Sequence, residues 1–208
     1  MDLCAVDGLC ATRCPLAIDI AGFMKKLRGQ ACSPFAKSVA SFVAGHFGMV
    51  ESSAKGMLNL GSGLHKVLGH TLAEATGGVS KALTGMKVPD LRAVGLTGAG
   101  PIPAPARKPG APSVVYYPSC AVRMMGYSGD NGHPPDPLMD VTVRLLEKAG
   151  CNVIIPEKTK GLCCGKAFES KGLHDQADTM LKELEAVLLA ASANGEFPVL
   201  CDTSPCVA

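Results

Sequence analysis

The sequence predicts an α/β chain of 208 residues: a cysteine-bearing N-terminal segment, short helices, then a small parallel sheet. Three observations predict it. Beyond residue 113, short β-branched and aromatic runs alternate with stripes at helical spacing, the pattern of parallel strands joined by helical crossovers. Residues 94–113 hold five prolines and four glycines and divide the chain in two. The ten cysteines cluster towards both ends and leave 33–119 empty.

The elements follow in order. Residues 35 to about 90 read as helical, with Val39, Phe42, Val43 and Phe47 and then Leu64, Val67, Leu68 and Leu72 near helical spacing. Glycines at 56, 61, 63, 69, 77 and 78 cut this stretch into short helices. Val114–Tyr117 is a strand stopped by Pro118. Asp136 and Pro137 read as an N-cap and a first-turn proline. The stripe Leu138, Val141, Leu145 and Ala149 follows, ended by Gly150. Asn152–Ile155 is a second strand, stopped by Pro156. Asp175 reads as the cap of a longer helix with Ala177, Leu181, Leu184, Leu188 and Ala191 on its core face. Pro198–Cys201 is the third strand. The resulting boundaries are 1–34, 35–93, 94–113 and 114–208.

Chemistry enters with the position of the thiols on this pattern. Cys120 follows the first strand, Cys163 and Cys164 lie in the loop after the second, and Cys206 lies past the third. In a parallel sheet these loops share the carboxyl edge, where ligand sites gather. Adjacent thiolates reach one metal only if the backbone bends sharply, and Gly165 permits that bend. Thiolate is the soft donor that iron–sulfur clusters and zinc take.

The N-terminal group reads Cys4-x5-Cys10-x3-Cys14-Pro15. It differs from the bacterial ferredoxin run C-x2-C-x2-C-x3-C-P in carrying Asp7 at the second ligand position. The Asp7 position is open to three readings: an oxygen ligand, a site that holds a three-iron cluster, or a solvated aspartate in a degenerate site.

These residues carry a family resemblance. CAVDGLCATRCPLAID (4–19) resembles the iron–sulfur region of FAD-linked D-lactate dehydrogenases. YYPSC (116–120), GLCCGKAFESKG (161–172) and CDTSPC (201–206) resemble the cysteine-rich CCG domain that follows it. That domain also occurs in glycolate oxidase iron–sulfur subunits, glycerol-3-phosphate dehydrogenase subunits and heterodisulfide reductases. The resemblance implies a ferredoxin-like iron–sulfur segment with short helices, then a small parallel-sheet CCG domain. Its ligands would be Cys4, Cys10 and Cys14 for one site, and Cys120, Cys163, Cys164 and Cys206 for the other. The implied cofactor is one or more iron–sulfur clusters of the [4Fe-4S] kind, with zinc as the alternative. Electrons would pass from FAD, held in a flavin dehydrogenase domain upstream or on a separate chain, to a cytochrome or quinone-type acceptor. The alternatives are an iron–sulfur subunit of a glycolate oxidase-type complex and a zinc-binding structural module. This chain departs from the pattern at Thr203, which replaces the first cysteine of the closing C-x2-C, and Cys201 is the candidate substitute.

No catalytic residue is expected in this chain, because no nucleophile–base set, zincin motif or carboxylate pair stands out. Cys32 and Cys151 read as ordinary thiols, Leu181, Leu184 and Leu188 as core, and Met124 and Met125 as packing beside Cys120. The histidines are scattered: His65 and His70 are spaced by five, which puts them on different parts of a helix face. Lys25, Lys26 and Arg28 read as a solvated basic face. A net charge of +2, 18% charged residues and the absence of Trp argue against nucleic-acid partners. Neither a secretory signal nor an apolar run long enough to span a bilayer is visible. The expected setting is the cytoplasm or the mitochondrial matrix side, with any membrane association made through partners. Cysteine clusters so near both termini suggest a piece of a longer protein.

Overall fold

A computed structural model of the chain describes residues 4, 6, 8–16, 18–63, 96–106, 110–127 and 136–206. Asp7, His65, His70, His133 and the stripe from Leu64 to Leu72 lie outside these residues. The described residues form a mixed α/β fold.

The sheet is built on β2, Ser113–Tyr117. It pairs in parallel with β4, Asn152–Ile154, on one side and with β5, Val199–Cys201, on the other. Val115 is the common register point, opposite Ile154 and Val199. The order β4-β2-β5 makes β2 the central strand, and Val115 and Tyr116 are fully buried. A strand covered on both faces is apolar throughout rather than alternating, which is why Val114–Tyr117 reads as a continuous run.

Side chains of β2 feed two cores in alternation. Val114 and Tyr116 pack with Met139, Val143 and Val153, beneath helix α6, Leu138–Lys148. Tyr117 packs with Leu162 and Leu184, the latter from helix α8, His174–Ala191. All three strands and both long helices of this half match the sequence reading. The helix faces match only in part. In α6 the core stripe is Met139, Val143 and Leu146, while Leu138 and Leu145 are exposed. In α8 Ala177, Leu184 and Leu188 face the core as read and Met180 joins them, while Leu181 is exposed. In α6 two apolar stripes run one residue apart, and contact with the sheet selects between them. The caps also shift. Pro137 itself is the N-cap of α6, and Asp136 accepts from Arg144 instead. Leu173 caps α8, with Asp175 in its first turn, where a carboxylate complements the helix dipole.

The N-terminal half is helical: α1 Leu9–Arg13, α2 Ile20–Ala31, α3 Pro34–Gly45 and α4 over 47–63. Asp19 caps α2 through the Gly22 N–H. Ser33 caps α3 through the Ala36 N–H, ahead of Pro34 in the first turn.

Two features were not legible in advance. Leu96–Gly98, inside the segment read as a linker, forms β1 and pairs antiparallel with β3, Met125–Tyr127. Between β2 and β3 lies a short helix, α5, Cys120–Met124. The helical half also packs on the sheet half. Lys25 pairs with Glu169, and Arg28 donates to the carbonyls of Cys4 and Ser170. These contacts correct the reading of Lys25 and Arg28 as a solvated face: both are tied to the segment that follows the paired cysteines. The approach is backbone to backbone, because a Cβ on Gly29 would stand 2.7 Å from the Gly172 carbonyl oxygen. Among the described residues no helix is long and apolar enough to cross a membrane.

Candidate functional site

The carboxyl edge of the sheet gathers the cysteines as the topology requires. Cys120 opens α5 immediately beyond β2, with Ser119 as the cap. Cys163 and Cys164 lie between β4 and the short helix α7, Lys166–Glu169. Cys206 ends the 3-10 turn Ser204–Cys206 after β5. The Cys120 and Cys163 sulfurs are 3.6 Å apart, and those of Cys164 and Cys206 are 3.3 Å apart. Cys163 and Cys164 are adjacent in the chain, and so join the two pairs. The fifth thiol, Cys201, packs, like Cys164, against the cluster of Tyr117, Leu162 and Leu184.

The bend at the paired cysteines depends on Gly165. Its φ is +74°, and a Cβ there would stand 2.6 Å from the Ala177 carbonyl oxygen. Both the left-handed conformation and the close passage of α8 therefore require glycine.

A network of polar groups fixes the loops relative to one another. Asp202 accepts from the Tyr116 hydroxyl at 2.8 Å and from the Ser119 N–H at 3.0 Å. Thr203 donates to the Ser119 hydroxyl at 2.8 Å. The threonine at the expected cysteine position is thus a tie between the ends of β2 and β5. On the other side, the fully buried Arg123 donates to the Pro118 carbonyl at 2.7 Å and to the Leu162 carbonyl. Its charge is met by Glu51 of α4 at 3.1 Å, and Glu51 also accepts from the Gly161 N–H at 3.0 Å. The Arg123 guanidinium lies 5.6 Å from the centre of the Tyr117 ring. The sequence reading missed Arg123, Glu51, Ser119 and Asp202. Arg123 had a local signal, a lone cation in the apolar run after Cys120; Glu51 had none.

The thiols divide electrostatically. The hydrogen bond with Cys163 lowers the Cys120 pKa to about 7 against the effect of burial, and the nearby Arg123 charge assists. The hydrogen bond with Cys163 also lowers Cys164 to about 5, with the Lys166 backbone contributing. Cys163 is raised by its bonds to both neighbours and by burial. Burial raises Cys206 and Cys201. The surroundings therefore push Cys120 and Cys164 towards the thiolate and Cys163, Cys201 and Cys206 towards the thiol.

The N-terminal cysteines stand differently. Cys4 precedes α1 and its carbonyl is held by Arg28, Cys10 is exposed on α1, and Cys14 is the half-buried C-cap. Cys32 is the C-cap of α2, and Cys151 packs against the Val114–Met139 core. Met124 ends α5, and Met125 is exposed on β3. Among the described residues, no group of three or more His, Cys, Asp and Glu side chains is placed so that it could hold a metal ion.

Compared with protein-family models, curated proteins and solved structures, the chain has no match in any of the three.

Proposed function

We propose that this chain is an iron–sulfur electron-transfer unit whose main site is Cys120, Cys163, Cys164 and Cys206, with Cys201 in reserve. The observation that carries the reading is the meeting of these four thiols, from three separate loops, at the carboxyl ends of parallel strands. The donor set is all sulfur, which suits iron–sulfur or zinc and not hard cations. A cluster held there would supply one-electron chemistry. The chain's own residues would hold it, bury it against Tyr117, Leu162 and Leu184, and set its surroundings through hydrogen bonds near the sulfurs. Cys4, Cys10 and Cys14 would be the ligands of a second site, and Arg28 donates to the carbonyls of Cys4 and Ser170. The resemblance drawn from the sequence assigns the electrons to a flavin that oxidises a D-2-hydroxy acid, and their exit to a cytochrome or quinone-type acceptor.

Anaerobic purification, iron and sulfide analysis and EPR test the proposal. Iron and acid-labile sulfide in the wild-type chain, lost when Cys163 and Cys164 are replaced by serine, support it. A colourless chain that takes up no iron on reconstitution overturns it.

One observation favours a second reading, a zinc-stabilised module. Tetrahedral zinc with bonds of about 2.3 Å sets its sulfurs about 3.8 Å apart. The two pairs, at 3.6 and 3.3 Å, lie close to that edge. One zinc per chain, retained after replacement of Cys4, Cys10 and Cys14, would select this reading.

A further inference from the structure

We infer that Arg123 and Glu51 form a positioning clamp that holds the paired-cysteine loop against the end of β2, so that helix α4 is a working part of the thiol site. The inference rests on the thiols being the cofactor site and deepens that reading. The guanidinium grips carbonyls that neighbour the thiols: Pro118, two residues before Cys120, and Leu162, immediately before Cys163. The Glu51 carboxylate takes Arg123 through both oxygens, at 3.3 and 3.1 Å, and holds the Gly161 N–H as well. Tyr117 adds a third hold on the loop, donating to the Leu162 carbonyl at 3.1 Å. A Cβ on Gly161 would stand 3.2 Å from the Gly48 backbone, so α4 meets the loop by direct backbone contact beside the ion pair.

The chemistry explains why these residue types are needed. A planar guanidinium presents five donors in a fixed fork and remains charged when buried. It can serve two carbonyls and a carboxylate at once. A lysine ammonium is a compact point charge and cannot span the same acceptors. Since Arg123 is fully buried and Glu51 is 2% exposed, the pair sits beyond the reach of solvent screening. Groups that orient metal-binding side chains in this way set affinity without touching the metal.

The test uses the full chain, reduced and metal-free, titrated with zinc(II) against a chromophoric chelator. Arg123→Gly should retain its far-UV circular dichroism and lose ~10–100-fold in zinc affinity. Guanidinium ion at low, non-denaturing concentration should restore the affinity, and ammonium should not. Arg123→Lys should recover little of it, and Glu51→Gln should fall between. Wild-type affinity in a folded Arg123→Gly overturns the clamp, and so does equal rescue by ammonium. If Arg123→Gly does not fold, Glu51→Gln and Arg123→Lys decide the matter on the same readout. If the wild-type chain binds neither zinc nor iron with sulfide, the proposed function fails. The clamp is then judged separately by alkylation of Cys163 in the metal-free chain: faster in Arg123→Gly supports it, and an unchanged rate overturns it.

Discussion

The Tyr116 hydroxyl donates to Asp202 at 2.8 Å, and so joins the central strand β2 to the turn that follows β5. The other Asp202 oxygen holds the Ser119 N–H, next to Cys120. Asp202→Ala should therefore orphan two donors, whereas Tyr116→Phe removes one. A buried polar group left without its partner costs about 1–3 kcal/mol, so Asp202→Ala should be the more damaging change in urea denaturation. Burial, with Asp202 assisting, also raises the Tyr116 phenol above its ordinary range, and ultraviolet titration of the folded chain should show it ionising late.

Gly165→Ala should destabilise the fold more than an ordinary surface change. The left-handed conformation alone costs about 1–2 kcal/mol for a residue with a Cβ, and the contact with Ala177 adds to it. Thermal melting measures the loss, and metal uptake should fall in parallel.

Serine scanning should separate the thiols by role. Replacing Cys120, Cys163, Cys164 or Cys206 should lower the metal content per chain. Cys32→Ser and Cys151→Ser should leave it unchanged, because these thiols sit at a helix end and in the apolar core. Thr203→Ala should keep the metal and loosen the tie to Ser119.

The metal-free chain should show site-selective thiol chemistry. Alkylation follows the thiolate fraction. The rate at Cys164 should rise through about pH 5 and that at Cys120 through about pH 7. Cys201 and Cys206 should lag, since burial raises both. Mass spectrometry of partially alkylated samples across pH reads this order directly.

Acid should weaken the docking of α2. The Glu169 carboxyl is lowered by its hydrogen bond with Lys25 and, secondarily, by Lys166. A carboxylate whose pKa is lower in the folded state stabilises above its unfolded value, near ~4.3, and loses that stabilisation as pH falls through the folded one. With Glu169 31% exposed, the contribution is roughly 0.2–1 kcal/mol. The melting difference between wild type and Glu169→Gln should be present at neutral pH and close in acid.

Much of the sheet half could be read in the sequence, because its signals are local. Pro118 and Pro156 stop strands, Gly150 ends a helix, and the β-branched runs between them are short. The convergence of Cys120, Cys163, Cys164 and Cys206 followed from one non-local rule, that parallel strands put their following loops on one edge. The face of α6 was misassigned by one residue and that of α8 only at Leu181, since Leu138 and Met139, like Met180 and Leu181, are equally apolar. Only packing distinguishes them. The Glu51–Arg123 pair was illegible for a different reason. Its partners are 72 residues apart, and a single glutamate in a helix carries no mark of burial.

The strand order has a consequence for how the chain is made. Cys120 stands after the first strand of the parallel sheet and Cys206 after the last, so synthesis delivers the two sides of the site far apart in time. Until β5 emerges and docks beside β2, Cys120, Cys163 and Cys164 have no fourth partner. Through that interval a nascent chain presents unprotected sulfur. On the proposed function, cofactor loading would follow the closing event of folding, and the thiols would have to stay reduced until the last strand arrives.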